Sequence, residues 1–504
     1  MKKIGIIDIG SNSIRLMLVQ ININNSFSVI DEIKETIRLG KDMSPEGKLH
    51  TYRIEKAMET LSFFKHLCKA QNVKEIFAVA TEAVRKASNK SAFLNKIKTE
   101  LNLTVRVLSG NEEAYYSYFG TINSIDIDNA LLVDIGGSST ELILVENRKV
   151  KASISLPLGG INLTEKFSLT RAMDTETEKE LKTFLQSFYK NIPWLLDIKD
   201  IPLVGIGGTI RNIAKINRKS NSYPLDNIHN YRISTSDVVD IYKTVSKKDA
   251  SQRKKIKGLS KDRADIFLGP ITSVVTLLEF CSINELLISG NGLREGLLYE
   301  YILGEKSAPV EDVLNFSLNN LLLNYEINEA HTCQVWKLSE MLYNNLKLVE
   351  YFPHECYKIL KTASLLHDCG VRISYYDHHE HSFYMILNSK INGLSHKEQL
   401  MSAYVAALHR KNDFKINLEK YSSILTEIEV ITIQKLGVLL RLSESLDRAM
   451  DGNVEQINFS AEEDAVVLDI KAKNNPILEI ASALEAVPAF EKLYGKKLII
   501  QSSC

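Results

Sequence analysis

Two loops that combine a carboxylate, glycines and hydroxyls are the parts of this sequence best suited to chemistry. In "LLVDIGGSSTELILV" an apolar run ends in Asp134, and in "IGIIDIGSNSIRLMLV" Asp8 has the same position. Glycines let the backbone approach an oxyanion closely, and hydroxyls add hydrogen-bond donors. We therefore predict two phosphate-binding hairpins related by internal duplication. Their loop residues are Gly10, Ser11, Asn12, Ser13, Gly136, Gly137, Ser138 and Ser139.

Two later segments, "PLVGIGGTIRN" and "LLISGNGLREG", repeat the pattern of an apolar strand followed by glycines. Open α/β sheets bind ligands at the carboxyl ends of their strands, so these loops are also candidates for phosphate binding. Arginines near the loops are suited to bidentate phosphate contacts. For a single loop or arginine, a tight turn or a solvated surface role is the alternative. The residues concerned are Gly207, Gly208, Thr209, Arg15 and Arg85, with Arg211 and Arg294 close by.

Three carboxylates of these segments, Asp8, Asp134 and Glu141, are candidates for holding a hard cation. Mg²⁺ prefers oxygen ligands and keeps several waters, and a bound phosphate can complete its coordination. The alternatives are capping or turn roles for the aspartates and simple surface exposure for Glu141. We expect Mg²⁺ as the cofactor of this site.

The elements that must position these residues alternate between strands and helices up to about residue 305. Apolar residues recur at helical spacing over 54–71, and further helices are predicted near 90–101, 176–189 and 266–279. Strands are predicted between them, including "EIFAVAT" and "TVRVLS". This alternation predicts an α/β fold with a mostly parallel or mixed sheet covered by helices.

From about residue 310 the pattern changes to successive amphipathic helices, among them "CYKILKTASLLHDCG" and "VITIQKLGVLLRLSESLDRA". Eight of the eleven histidines lie here, between His331 and His409, which sets this domain apart. His331, the doublet His367 and Asp368, and Asp447 fall on successive predicted helices and could converge on a metal ion. The histidines between Asp368 and Asp447 are candidates for a second metal position or for phosphate binding. After Asp451 the pattern predicts a small α+β segment.

The bulk composition describes a large globular protein of several domains, with 504 residues of which 44% are hydrophobic. Lys+Arg and Asp+Glu are both 62, so no global field steers a polyanion. No apolar run approaches the roughly 18 residues of a membrane span. We therefore expect neither a nucleic-acid partner nor a membrane. The six cysteines show no CxxC spacing, which suggests a reduced, cytoplasmic protein.

The motifs taken together resemble those of a known family. "IGIIDIGSNSIRL", "ATEAVRKASN", "LSGNEEA", "LLVDIGGSSTEL", "GIGGTIRNI" and "SGNGLREG" follow the order of the exopolyphosphatase / guanosine pentaphosphate phosphohydrolase (Ppx/GppA) family over residues 1–305. The resemblance implies two ribonuclease-H-like halves of the actin-like ATPase superfamily, 1–125 and 126–305. It also implies a helical HD-type domain at 306–450, followed by the α+β segment 451–504, and a homodimer.

By resemblance, Glu113 stands where the family has the glutamate that activates water, with Glu112 as the neighbouring rival. Adjacent helical residues point about 100° apart, so only one of them can face the site. Ser138 occupies a position where the family commonly has a third glycine, so a positive φ there would add strain.

The resemblance implies a phosphoric anhydride hydrolase, with inorganic polyphosphate as the expected substrate and guanosine pentaphosphate as the alternative substrate. Two further hypotheses stay open at this point. One is a non-catalytic polyphosphate or alarmone sensor, and the second is a main activity in the HD-type domain with a transition metal. The basic stretch 247–263 is predicted to be either a local track for a polyphosphate chain or a solvated helix face.

Overall fold

The computed structural model describes residues 1–43, 46–346, 351–410, 414–461 and 465–502, so Cys504 lies outside the described residues. The chain divides into two compact units, Met1–Val313 and Leu314–Cys504. The first unit contains two mixed sheets, and we call the part around each sheet a lobe. None of the helices within the described ranges is both long and apolar enough to cross a membrane.

The first lobe has a five-stranded sheet in the order β3-β2-β1-β4-β5. Strands β1 to β3 pair antiparallel, whereas β4 and β5 continue the sheet parallel to β1. The strands are β1 (Lys2–Ile9), β2 (Ile14–Ile21), β3 (Phe27–Glu35), β4 (Glu75–Ala80) and β5 (Val105–Val107). The helices are α1 (Thr51–Ala70), α2 (Glu82–Lys86), α3 (Lys90–Leu101) and α4 (Gly110–Ile122).

The second lobe repeats this strand order with one extra edge strand, β10-β11-β9-β6-β7-β8. The strands are β6 (Ala130–Ile135), β7 (Thr140–Glu146), β8 (Lys149–Leu156), β9 (Leu203–Ile206), β10 (Arg232–Ser234) and β11 (Glu285–Ile288). The helices are α5 (Gly160–Lys166), α6 (Thr175–Lys190), α7 (Gly207–Ser220), α8 (Thr235–Ser246), α9 (Ala250–Arg253), α10 (Leu268–Phe280) and α11 (Leu293–Leu303), with a 3-10 helix at Pro193–Leu195. The shared topology supports the internal duplication that the sequence predicts.

Each lobe has its own apolar core between its sheet and its helices. Ile7, Leu16, Leu61 and Phe64 are fully buried in the first core, and the second core is built in the same way around Leu131 and Leu142. The helices that we predict over 54–71, 176–189 and 266–279 are found as α1, α6 and α10 with ends shifted by a few residues. Strongly periodic segments thus form the elements that their apolar spacing predicts.

The second unit combines helices with a small sheet. Its strands are β12 (Val454–Ala461), β13 (Ala465–Ala472) and β14 (Lys497–Ser502), with β12 antiparallel and β14 parallel to β13. Its helices are α12 (Val313–Tyr325), α13 (Glu329–Leu346), α14 (Cys356–Leu366), α15 (His378–Asn388), α16 (His396–Ala407), α17 (Leu418–Tyr421), α18 (Glu427–Ser445), α19 (Ile477–Leu484) and α20 (Val487–Tyr494), with a 3-10 helix at Cys369–Arg372.

The prediction that all four metal-site residues of this unit lie on helices is wrong in part. His331 lies in α13, but His367 and Asp368 directly follow α14, and Asp447 follows the end of α18. Helices α14 and α18 end just before these residues. Apolar periodicity alone does not predict these helix ends.

Candidate active site

The two carboxylate hairpins have the same geometry. Asp8 pairs with Arg15 across β1 and β2, and Asp134 pairs with Glu141 across β6 and β7. Each loop is closed by one backbone bond from its first glycine, Gly10 N to Ser13 O at 3.1 Å and Gly136 N to Ser139 O at 2.9 Å. The duplication therefore extends to the turn itself, although an arginine in one hairpin corresponds to a glutamate in the other.

The tips of the two hairpins face each other. A Cβ atom at Gly137 would lie 3.0 Å from Ser11 Cβ and 3.1 Å from the Asn12 nitrogen, so this approach requires glycine. The neighbouring Ser138 does not have a positive φ, so the strain that a positive φ would add at this position does not arise. Its carbonyl oxygen accepts a hydrogen bond from Asn162 Nδ2 at 2.8 Å.

The hairpins enclose a cavity of about 120 Å³ between the two lobes. Most of the predicted residues line it: Asp8, Gly10, Ser11, Asn12, Ser13, Arg15, Glu113, Asp134, Gly136, Gly137, Ser139, Gly207 and Gly208. Four predicted residues, Arg85, Ser138, Thr209 and Glu141, are not part of the lining. The lining also contains residues that the sequence motifs do not assign to the site, namely Thr81, Arg263 and Glu295.

Glu112 and Glu113 have opposite environments at the start of α4. Glu112 completes a capping box with Ser109 and pairs with Arg106 at the surface, and that pairing lowers the pKa of Glu112 to about 2. Glu113 is buried and faces the cavity. Burial raises the pKa of Glu113 to about 7, against the opposing effect of Arg85 and with a further increase from Asp134 and Asp8.

Arg85 contacts Glu113 and does not line the cavity between the lobes. Its Nη1 donates to Glu113 Oε2 at 2.9 Å and to the Leu108 carbonyl at 2.7 Å, and its Nη2 pairs with the buried Glu82. The structure therefore places Arg85 where it orients Glu113, in contrast to the predicted phosphate contact. Glu82 lies three residues before Arg85 in α2, and this i,i+3 spacing brings the two side chains together.

Four arginines converge on the cavity: Arg15, Arg211, Arg263 and Arg294. Burial lowers the pKa of Arg15 to about 10, and the neighbouring Arg211 and Arg294 add to this effect. Burial and the charge of Arg15 also lower the pKa of Arg263 to about 10. Like charges held together in this way make a strong site for an anion.

The basic stretch 247–263 contains two arginines that point into the protein and a set of exposed lysines. Arg253 is fully buried, and its guanidinium donates to the carbonyl oxygens of Leu169 and Arg171 at 2.6 and 2.8 Å, which is a structural role. Arg263 enters the cavity, as a Cβ at Gly208 would lie 2.3 Å from its Cζ. The lysines Lys247, Lys254, Lys255, Lys257 and Lys261 are exposed.

Glu113 and Glu141 are buried, Asp8 and Asp134 are half-buried, and these carboxylates repel one another. Burial raises the pKa of Asp8 and of Asp134, and it raises the pKa of Glu141 well above its usual value with the help of Glu113 and Asp134. Glu141 accepts a hydrogen bond from Ser155 Oγ at 2.8 Å, and Asp134 accepts one from Ser117 Oγ at 2.6 Å. Glu141 is thus a buried residue and not a surface one.

The histidines of the second unit converge as well. His331 Nδ1 lies 2.8 Å from Asp447 Oδ2, and Asp368 Oδ2 lies 3.8 Å from His331 Nε2 and 3.7 Å from His367 Nε2. The structure thus brings the four predicted residues together. Asp447 is hydrogen-bonded to His331 Nδ1, whereas Asp368 faces the other ring nitrogen, Nε2. Burial lowers the pKa of His331, but the bond to Asp447 and the charge of Asp368 outweigh it and raise that pKa.

Family comparisons agree with this arrangement of two lobes and a further unit. The sequence profile of the "Ppx/GppA phosphatase family" matches residues 18–305, and that of "Ppx/GppA phosphatase, domain III" matches residues 313–484. The chain belongs to the Ppx/GppA phosphatase family. The resemblance stated from the motifs is confirmed, and the protein is a hydrolase of phosphoric anhydrides.

Relatives of this Ppx/GppA protein carry two different names. A guanosine-5'-triphosphate,3'-diphosphate pyrophosphatase of Vibrio vulnificus is 26% identical over 494 residues, which is 95% of each chain. The crystal structure of the Aquifex aeolicus family member is 32% identical with a TM-score of 0.52, covering 60% of this chain and 98% of that one. An exopolyphosphatase from Cytophaga hutchinsonii is 26% identical with a TM-score of 0.56, covering 60% and 99%.

Proposed function

We propose that this protein hydrolyses the terminal phosphoanhydride bond of inorganic polyphosphate in the cavity between its two lobes. The observation that carries the proposal is the position of Glu113, a buried carboxylate with a pKa near 7 that faces four arginines across a small polar cavity. A base of that pKa suits proton abstraction at neutral pH. The arginines supply the charge that a terminal phosphate requires.

This reaction requires little covalent chemistry from the protein, which mainly positions the reacting groups and neutralises charge. The Glu113 carboxylate takes a proton from a water molecule as its oxygen attacks the terminal phosphorus, and the bridging P–O bond breaks on the opposite side. Orthophosphate and a chain shorter by one phosphate leave. Arg85 holds Glu113 in place, while backbone N–H groups of the glycine loops and the arginines neutralise the developing charge.

We also propose Mg²⁺ as the cofactor, held by Asp8 and Asp134 with Glu141 behind them. Three observations support the fit: Glu141 is buried and Asp8 and Asp134 are half-buried, the carboxylates repel one another, and Asn12 Nδ2 and Oδ1 are both buried without a hydrogen-bond partner among the described residues. Within the described part of the first unit, no three metal-ligating residues bring their ligand atoms within 4.8 Å of one another. Mg²⁺ matches such a sparse donor set because it keeps several waters, and it would supply charge neutralisation on the phosphate oxygens.

Polyphosphate as the substrate is supported by a second cavity of about 220 Å³ that shares Arg15, Arg211, Arg263 and Arg294 with the first and adds Lys34 and Lys215. Glu32 also lines this cavity and Lys34 is paired with Asp262, so the contacts for further phosphates of a chain come from the arginines and Lys215. No aromatic side chain is among the described residues that line either cavity, so a guanine base would have no aromatic ring to stack on there.

Guanosine pentaphosphate is the second candidate substrate. The relatives named as its pyrophosphatases match this chain over more than nine tenths of both lengths, whereas the exopolyphosphatase structure covers 60% of it. Both substrates end in a phosphoanhydride that the same residues would cleave, so only product analysis separates them.

In the second unit we propose one metal position of the HD type, with His331, His367 and Asp368 as ligands and Asp447 holding the His331 ring. Their ligand atoms lie within 4.8 Å of one another, and the nitrogen and oxygen donors suit a transition metal.

A cytoplasmic location fits the described cysteines, all five of which are free thiols. The homodimer that the resemblance implies stays a prediction.

The test compares phosphate release from long-chain polyphosphate and from guanosine pentaphosphate, with Mg²⁺, by the full chain and three variants. Glu113→Gln is expected to lower the rate by roughly a thousandfold, the effect of losing a general base. Its neighbour Glu112→Gln is the matched control and should stay close to the unmodified rate.

The third variant, His367→Ala/Asp368→Ala, should also retain release, because it leaves the cavity between the lobes intact. Full activity of Glu113→Gln together with loss in the His367/Asp368 variant would place the active site in the second unit. Absence of release from either substrate would favour a binding function of the cleft.

A further inference from the structure

The wall of the second cavity, which has a volume of about 220 Å³, carries a single carboxylate among its described residues, that of Glu32. Glu32 lies in β3, the edge strand of the first sheet, opposite Met17 of β2. Its Oε2 accepts a hydrogen bond from Arg294 Nη2 at 3.2 Å. Arg294 lines both this cavity and the first one, so Glu32 holds a guanidinium that a bound phosphate also needs.

Arg294 differs in its charge environment from the other arginines of the two cavities. Burial lowers the pKa of Arg294, but the charges of Glu295, Glu32 and Asp8 outweigh burial and raise that pKa. Three arginines have a lowered pKa because of burial and form no ion pair with a carboxylate among the described residues, namely Arg15, Arg211 and Arg263. The anion position at Arg294 is thus already filled by protein carboxylates, whereas those of its neighbours are open to a ligand.

Of the two carboxylates that pair with Arg294, only Glu32 is placed to move away. Glu295 is buried, lies 3.8 Å from the guanidinium and accepts a hydrogen bond from Gly292 N at 2.8 Å, which fixes it at the start of α11. The Glu32 side chain keeps 48% of its surface exposed, whereas that of Arg294 keeps 6%. A half-exposed carboxylate rotates into water at little cost, while a buried guanidinium needs an anion beside it. Glu32 is therefore the partner that an incoming phosphate replaces.

We propose that Glu32 is a displaceable anion of the phosphate site, which pairs with Arg294 while the second cavity is empty and gives way to a phosphate group of the substrate. The inference rests on the cleft as the phosphate-binding site proposed above and adds the residue that limits its affinity. The competition weakens the binding of substrate and product alike. It therefore lets the orthophosphate formed by cleavage leave four arginines that would otherwise retain it.

The experiment measures the Kd of pyrophosphate for the full chain by calorimetry, in EDTA to remove divalent cations. Glu32→Gln should bind pyrophosphate about three- to tenfold more tightly, because the ligand no longer displaces a charged partner of Arg294. Glu35→Gln is the matched control and should leave the Kd unchanged. It removes the same charge from β3, but Glu35 does not line the second cavity, and strand alternation directs it to the opposite face from Glu32.

A double variant separates displacement from a general effect of charge. Arg294→Gln alone should weaken binding, and adding Glu32→Gln to it should bring no further gain, because the two groups act through one contact. An equal gain from Glu32→Gln with and without Arg294 overturns the proposal, since it shows only a repulsion at a distance. An unchanged or weaker affinity of Glu32→Gln overturns it too, and weaker binding that is seen only with Mg²⁺ makes Glu32 a cation ligand instead.

Turnover gives a separate readout. With polyphosphate as the substrate, Glu32→Gln should lower both KM and the inhibition constant of orthophosphate by about the same factor as the pyrophosphate Kd. Unchanged values of both constants contradict a role of Glu32 in the reaction. Absence of any hydrolysis by the unmodified chain would contradict the proposed function, and the pyrophosphate Kd would still decide whether Glu32 is displaced.

Discussion

At the scale of single residues, the reactivity of this site comes from side chains whose surroundings differ sharply over short distances. Glu112 and Glu113 are neighbours in α4, yet the surface pairing of Glu112 with Arg106 lowers its pKa to about 2, whereas burial raises that of Glu113 to about 7. A carboxylate that is half protonated near neutrality is an effective base only while it stays correctly oriented. Arg85 provides both the orientation and the opposing charge.

The pH dependence of kcat/KM should report this balance. Glu113 acts as the carboxylate, so activity should be lost as the pH falls through about 7 and be present above it. Arg85 lowers the Glu113 pKa by its hydrogen bond and its charge, so Arg85→Gln should move the rising limb to higher pH. A pH series with polyphosphate measures this, with Glu112→Gln as the control. An unchanged midpoint in Arg85→Gln would contradict the effect of Arg85 on the Glu113 pKa, and a lower rate with that unchanged midpoint would leave Arg85 an orienting role only.

At the scale of elements, the close crossing of α4 and α11 brings Glu113 and Arg294 to one site. A Cβ at Gly120 of α4 would lie 2.2 Å from the Gly292 carbonyl oxygen, and one at Gly296 of α11 would lie 2.0 Å from that of Tyr116. The two helices can therefore approach this closely only because both carry glycine at the crossing.

Gly296→Ala should separate these helices. We expect a loss of unfolding free energy of about 1–3 kcal/mol, as for overpacking in a dense interior, and a lower kcat because Arg294 moves away from the cavity. Denaturant unfolding and polyphosphate turnover measure the two effects. Asn111→Ala, on the exposed first turn of α4, should change neither. An unchanged denaturation midpoint in Gly296→Ala would show that the crossing is not tightly packed.

At the scale of the whole two-lobed unit, ion pairs between the lobes hold the cavity closed. Arg38 donates to both carboxylate oxygens of Asp265 at 2.5 and 2.9 Å, and Lys34 pairs with Asp262 at 2.6 Å. Arg38 and Asp265 keep about a fifth of their side-chain surface exposed, so the bidentate pair is only partly screened by water.

A double-mutant cycle of Arg38→Gln and Asp265→Asn should give a coupling free energy of about 0.5–2 kcal/mol in unfolding, because the two groups contact each other directly. Either variant should raise KM for polyphosphate more than it lowers kcat, since Arg15 and Arg263 come from different lobes. Arg53 and Asp42 form an exposed pair within the first lobe and serve as the control cycle. An equal coupling in both cycles, with unchanged KM, would argue against a role in closure.

The local features of this protein follow from its amino-acid sequence alone. The two carboxylate hairpins, the helical spacing of α1, α6 and α10 and the family motifs all depend on residues that are close together in the chain. Hydrophobic periodicity and turn residues act over such short distances, so pattern alone predicts them.

Which side chains meet depends on the tertiary fold. Arg85 faces Glu113 instead of phosphate, Arg253 is buried on carbonyl oxygens while Arg263 enters the cavity, and Glu141 is fully buried. In the second unit, only the fold shows that the two oxygens of Asp368 face different histidine pairs. These contacts join residues far apart in the chain, and burial and charge at such sites are the sum of all neighbours, which no local pattern contains.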